Sequence, residues 1–183
     1  MVDLLRLRSG DTRWRIGMIH GPNMPFLGQR DPKHYGSIDP EQLDARVAEI
    51  ADWLGVDLTE SIWTNEEGDI LTWIHTRHQD FDAILINPAG LTFFGESTRR
   101  ALEETGLPVV EVHFASPRLK PQSVFEPSVL GTIKGFHKHS YTATLVALVA
   151  SLDDGDFFPP ARYQARIDAG LSNPPGQGRP LRL

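Results

Sequence analysis

The stretch Ala83-Ile84-Leu85-Ile86-Asn87-Pro88-Ala89-Gly90-Leu91-Thr92 decides the fold. Four apolar residues run without a polar break and then stop at Asn-Pro. A strand with no polar face is buried on both sides, as in a parallel sheet covered by crossover helices. Working outward, residues 13–19 read as a strand, 56–63 as a second and 109–112 as a fourth, with a short fifth at 129–133. Between them lie helix signals. Asp39-Pro40-Glu41 opens a helix with Asp as N-cap and Pro at the first helical position. Leu43, Val47, Ile50, Ala51 and Leu54 recur at helical spacing, and Gly55 ends it. Thr64 or Asn65 caps a second helix carrying Ile70, Leu71 and Ile74. A third spans 97–104, closed by Gly106, and a last one spans 141–152. Five alternations with right-handed crossovers predict an α/β fold: a flavodoxin-like three-layer sandwich with a five-stranded parallel sheet.

The 183 residues suit one domain at 1–152, followed by a Pro/Gly-containing extension at 153–183. Lys plus Arg number 18 and Asp plus Glu 24, for a net charge of −6. That balance gives no bulk attraction for nucleic acid or an anionic membrane. The absence of cysteine excludes disulfides, thiol chemistry and cysteine-based metal sites. No apolar run reaches the roughly 18–20 residues of a membrane span. The first eight residues are too short and too charged for a signal peptide, so a cytoplasmic location is expected.

In an open parallel sheet, ligands bind beyond the carboxyl ends of the strands. Three such ends carry polar residues that packing does not require. The first strand is followed by His20-Gly21-Pro22-Asn23, then Gly28, Arg30, Pro32, Tyr35 and Gly36. The third ends in Asn87-Pro88-Ala89-Gly90-Leu91-Thr92 and the fourth in Glu111-Val112-His113. Singly, each has a plain structural reading: a turn cap for Asn23 and Asn87, a packed loop residue for Tyr35, a backbone partner for His113. Their convergence on one sheet edge marks a site.

Gly21-Pro22-Asn23, Gly28, Arg30, Pro32, Tyr35 and Gly36, at this spacing, resemble the opening signature of the type II 3-dehydroquinate dehydratases. The resemblance continues through residues 65–75, 87–92 and 110–113 and covers roughly 14–150. It implies a flavodoxin-like fold, self-association into trimers or a dodecamer, a small cyclic substrate, and no metal or cofactor. It implies Tyr35 as the base that removes a proton beside a ketone, with Arg30 favouring the tyrosinate. Asn23 would hold a water at the enolate, Asn87 and His113 would contact substrate, and Glu111 would support them.

The sequence also departs from the family. The resemblance puts the general acid at Phe93, which donates no proton. Phe93, Phe94 and Phe114 make the expected pocket more apolar, and a hydroxyl is lost at Ala115 or displaced to Ser116. Arg100 stands where the family has an intersubunit Asp, and His20 where it has Asn. These departures point to a different small cyclic carbonyl compound as substrate. The alternatives are dehydroquinate itself with the acid role taken by His20 or His34, and a non-catalytic ligand-binding paralogue or scaffold.

Overall fold

A computed structural model describes residues 7–116 and 122–154. The expected extension from 155 onward therefore lies outside the described residues, as do Pro117 and Pro121. Five parallel strands form one sheet: β1 (Arg15–His20), β2 (Asp57–Trp63), β3 (Ala83–Asn87), β4 (Val109–His113) and β5 (Thr132–Lys134), in the order β2-β1-β3-β4-β5. The helices are α1 (Pro32–Tyr35), α2 (Pro40–Leu54), α3 (Glu67–Arg77), α4 (Glu96–Thr105) and α5 (His139–Asp153). The α/β three-layer expectation holds. Element ends differ from the sequence reading by at most three residues, and several coincide; the four-residue α1 is an addition. It forms because Asp31 accepts a hydrogen bond from the Lys33 amide and Pro32 starts the turn.

Strand alternation sorts the core into two layers. Ile16, Met18, Ala83, Leu85, Val110 and Val112 face α2 and α5, with Leu43, Val47, Leu145 and Leu148 against them. Ile19, Ile84, Ile86 and Val109 face α3 and α4, meeting Ile70, Ile74, Ala101 and Leu102. All five residues of β3 are buried, as its unbroken apolar run requires. Asp39 and Gln42 form a reciprocal capping box at the start of α2.

The ends of β1 and β3 approach closely. The Gly21 amide donates to the Asn87 carbonyl at 2.9 Å, and a Cβ on Gly21 would lie 2.6 Å from the Pro88 carbonyl oxygen. Only glycine fits there.

Behind this edge the first core layer holds a chain of polar groups. His20 is fully buried, stacked on Trp63 with ring centroids 3.6 Å apart. Its Nδ1 lies 3.1 Å from the Tyr141 hydroxyl, which also accepts from Asn87 Nδ2 at 2.9 Å. The one phenolic hydrogen is thus left for His20 Nδ1, which makes His20 the Nε2–H tautomer. That nitrogen faces Asp44 Oδ1 at 3.9 Å, too far for a hydrogen bond. Asp44 Oδ2 accepts from Trp63 Nε1 and Ser61 Oγ. Burial pushes the His20 imidazole down to about 3 and the Tyr141 phenol above its ordinary range.

Two measurements follow from this packing. Gly21→Ala should lower unfolding free energy by about 1–3 kcal/mol in denaturant titration, because a backbone oxygen must move. Gly68→Ala near the start of α3, where a Cβ meets nothing within 4 Å, should instead stabilise by up to about 1 kcal/mol. For His20 the folded state holds the neutral ring, so its contribution is complete above the unfolded value of 6.5 and is lost as pH falls toward about 3. Across that window stability should fall by at most about 1.4 kcal/mol per pH unit from this group. His20→Gln should flatten the stability–pH curve there relative to the parent; identical slopes would refute the assignment.

Candidate active site

Most of the predicted residues converge on a cavity of about 260 Å³ at the carboxyl edge of the sheet. Its wall comprises Asn23, Met24, Arg30, Tyr35, Asn87, Ala89, Gly90, Thr92, Phe93, His113, Phe114 and Ala115. The loop after β1 supplies Asn23 in a left-handed conformation (φ 78°), held by its amide donating to Asn65 Oδ1 at 2.8 Å. Gly90 passes directly beneath it: a Cβ there would lie 3.2 Å from Asn23 Nδ2.

Arg30 and Tyr35 act as a pair. Arg30 Nη2 donates to the Tyr35 hydroxyl at 2.9 Å, and the guanidinium carbon lies 3.8 Å from the ring centroid. The guanidinium has no carboxylate partner among the described residues, so its charge is available to the phenolic oxygen. Asn87 is fixed at both ends of its amide: Oδ1 accepts from the Ala89 amide at 3.2 Å, and Nδ2 donates to Tyr141. Tyr141 was not read as a site residue. Its polar tip at the start of an otherwise apolar helix was the available signal, because a buried phenol needs a partner.

His113 is the second protonatable group of the cavity. Its Nε2 lies 2.7 Å from Glu111 Oε1. A carboxylate only accepts, so Nε2 carries the hydrogen and Nδ1 is left free for a ligand. Glu111 is fully buried and also accepts from Ser123 Oγ at 2.7 Å and Thr132 Oγ1 at 3.2 Å. The ring is thereby locked against the wall facing Tyr35.

Several expected positions fall elsewhere. His20 does not line the cavity but lies behind it under Trp63, so it is no relocated acid. His34 is an exposed partner of Asp31. Phe94 points outward and is 81% exposed, because the turn after Ala89–Leu91 alternates Phe93 inward and Phe94 outward. Ser116 is exposed and outside the cavity wall, so it does not restore the hydroxyl missing at Ala115. Arg100 is exposed on α4, donating to Glu96 Oε1 at 3.0 Å, and does not reach the cavity of its own chain. Phe93, Phe114 and Ala115 stand in the wall as expected. Among the described residues no group of three or more His, Cys, Asp or Glu is arranged to hold a metal ion, and no helix is long and apolar enough to cross a membrane.

Comparison with known proteins agrees with this geometry. The family described as dehydroquinase class II matches residues 14–149. The chain is 37% identical over 145 residues to a 3-dehydroquinate dehydratase of Desulforudis audaxviator, covering 77% of this chain and 96% of that one. It is 33% identical over 147 residues to one of Halothermothrix orenii, covering 78% and 99%. Among solved structures, the type II dehydroquinase of Propionibacterium acnes superposes with a TM-score of 0.69 at 30% identity, covering 77% of this chain and 99% of that one. With the fold, the glycine-bound loops and the sequence relationship all in agreement, the chain belongs to the class II dehydroquinase family, whose enzymes are dehydratases.

Proposed function

We propose that the chain dehydrates 3-dehydroquinate, with Tyr35 as base and His113 as acid. The single observation behind it is the hydrogen-bonded Arg30–Tyr35 pair in the same small cavity as the Glu111-buttressed His113. The relatives' names, at 33–37% identity over nearly their whole length, favour dehydroquinate over the different cyclic carbonyl suggested by the residues alone.

The chemistry balances as follows. The Tyr35 phenolate takes a proton from the carbon beside the ketone, and the electron pair moves onto the carbonyl oxygen as an enolate. Arg30 holds the phenolic oxygen in place through its donated hydrogen bond. Asn23 lies at the cavity wall to hold a water against the developing oxyanion. The enolate then reforms the ketone, a carbon–carbon double bond forms, and the hydroxyl on the next carbon leaves. Hydroxide is a poor leaving group, and His113, with Nε2–H held on Glu111 and a second proton taken from solvent on Nδ1, gives that Nδ1 proton so that the hydroxyl departs as water. Tyr35 then releases its proton to solvent and His113 takes one back at Nδ1, which restores the starting state. The acid role thus moves from position 93, a phenylalanine, to His113.

A second reading has its own observation. Phe93 and Ala115 present carbon where the resemblance expects polar contacts to the ring, which suits a less hydroxylated cyclic carbonyl compound. In both readings Tyr35 is the base. We also propose a trimer-based assembly, in which the exposed α4 face around Arg100 meets a neighbouring chain.

Purified protein given 3-dehydroquinate should generate the enone absorbance at roughly 1–10³ s⁻¹. Tyr35→Phe and His113→Gln should each lower kcat by about 10²–10⁴. Arg30→Ala should lose activity that added guanidinium ion partly restores, and Arg30→Lys should be intermediate because it keeps charge but not the planar fork. Absent turnover of dehydroquinate refutes the substrate, and full activity of Tyr35→Phe refutes the mechanism. Light scattering at micromolar concentration should give at least three chain masses; a monomer rejects the assembly.

A further inference from the structure

Next to the catalytic cavity lies a larger one of about 920 Å³. The two share Tyr35 and Phe114. The larger is formed by the segment after α1, one face of α2 and the approach to α5. Its charged lining is cationic: Arg46 and Lys138, with His137 and His139 beside them. No aspartate or glutamate stands among its described lining residues, in a chain whose net charge is −6.

The pairing of arginines makes this unusual. Arg8, Arg13, Arg15, Arg77, Arg99 and Arg100 each hold a carboxylate. The other two described arginines, Arg30 and Arg46, form no such ion pair with a described residue, and each lines one of the two cavities. Arg30 has the Tyr35 phenol. Arg46 has nothing of the kind: its Nε is fully buried and lacks a hydrogen-bond partner. Lys138, His137 and His139 have no side-chain hydrogen bond to a described residue either. Arg46 as a whole is half-buried, but a buried N–H without an acceptor is costly. An acidic chain has ample carboxylates to satisfy it, yet none of the described ones is placed there.

We propose that this second cavity binds a small polyanion, a phosphate- or polycarboxylate-bearing metabolite, gripped by Arg46 and Lys138 and lying against Tyr35. A guanidinium and an ammonium lining one cavity suit a ligand with more than one negative charge. The volume leaves room for a body larger than phosphate alone. The position gives binding a consequence. Negative charge beside Tyr35 opposes negative charge on its phenolic oxygen, so the occupant slows any reaction in which Tyr35 is the base. The site is independent of which ring compound the catalytic cavity turns over.

The test is isothermal titration of the full chain near neutral pH with inorganic phosphate and, separately, citrate, against sodium chloride of matched ionic strength. The expected result is saturable binding of one anion per chain that chloride does not reproduce. Arg46→Gln should weaken it at least about tenfold, and Lys138→Gln several-fold, as loss of a charge-assisted hydrogen bond predicts. Arg46→Lys should keep much of it. Arg30→Gln should change it by less than about twofold, since Arg30 belongs to the other cavity. Tighter phosphate identifies a phosphoryl group and tighter citrate a polycarboxylate; either supports the proposal. Absence of saturable binding by both probes overturns it, and so does binding lost in Arg30→Gln but kept in Arg46→Gln. If Arg46→Gln does not fold by circular dichroism, unchanged binding in Lys138→Gln overturns it alone.

Discussion

A carboxylate without access to water sits at the carboxyl end of β4, and much of the site is arranged around it. Glu111 is fully buried with no lysine or arginine among its described hydrogen-bond partners; its oxygens are met by Ser123, Thr132 and His113. Burying such a group is tolerable only when its oxygens are met. Meeting them fixes three separate pieces of chain. Thr132 pairs with Glu111 in the β4–β5 ladder, so the carboxylate helps pin the short edge strand. Ser123 draws in the segment after β4, and its hydroxyl also accepts from the Phe125 amide, which helps place a fully buried Phe125. His113 is oriented from behind, so this protonatable group of the cavity cannot rotate freely. A glutamine would have the size but not the second strong acceptor.

The remaining groups of the cavity depend on how closely parallel strands end. Adjacent parallel strands stop at the same edge, so side chains after β1, β3 and β4 meet without any long-range folding device. What brings them within reach is the absence of side chains at Gly21 and Gly90, where the loops cross. Preorganisation follows from rigidity there: Asn23 and Ala89 occupy left-handed backbone conformations, a strain that the surrounding hydrogen bonds sustain.

The sequence made the sheet and most of the site readable for physical reasons that differ by element. The unbroken apolar run of β3 and the Asp39-Pro40 cap of α2 are local signals, and both elements formed where those signals said. Residues at strand ends were legible because polar groups there serve no packing purpose. Phe94 and His20 were misplaced for the opposite reason. Which of two adjacent phenylalanines enters a cavity depends on the turn geometry after Ala89, and a histidine at a strand end looks alike whether it opens to ligand or stacks under Trp63. Tyr141 and Arg46 went unseen because each matters through a partner, or a missing one, far away in sequence.

The departures from the family then sort by depth. Phe93 and Ala115 change the wall that a ring would touch, so they bear on which substituents the cavity tolerates. His20 changes nothing a substrate touches. It fills the space between Trp63 and Tyr141, and the hydrogen of Tyr141 goes to it, which leaves the phenolic oxygen to accept from Asn87. A residue behind the site thus determines which way the Asn87 amide faces, while the Arg30–Tyr35 and Glu111–His113 pairs stay intact in front of it. The proposed acid–base chemistry rests on those two pairs at one cavity and leaves selectivity among rings to the carbon surface of Phe93, Phe114 and Ala115.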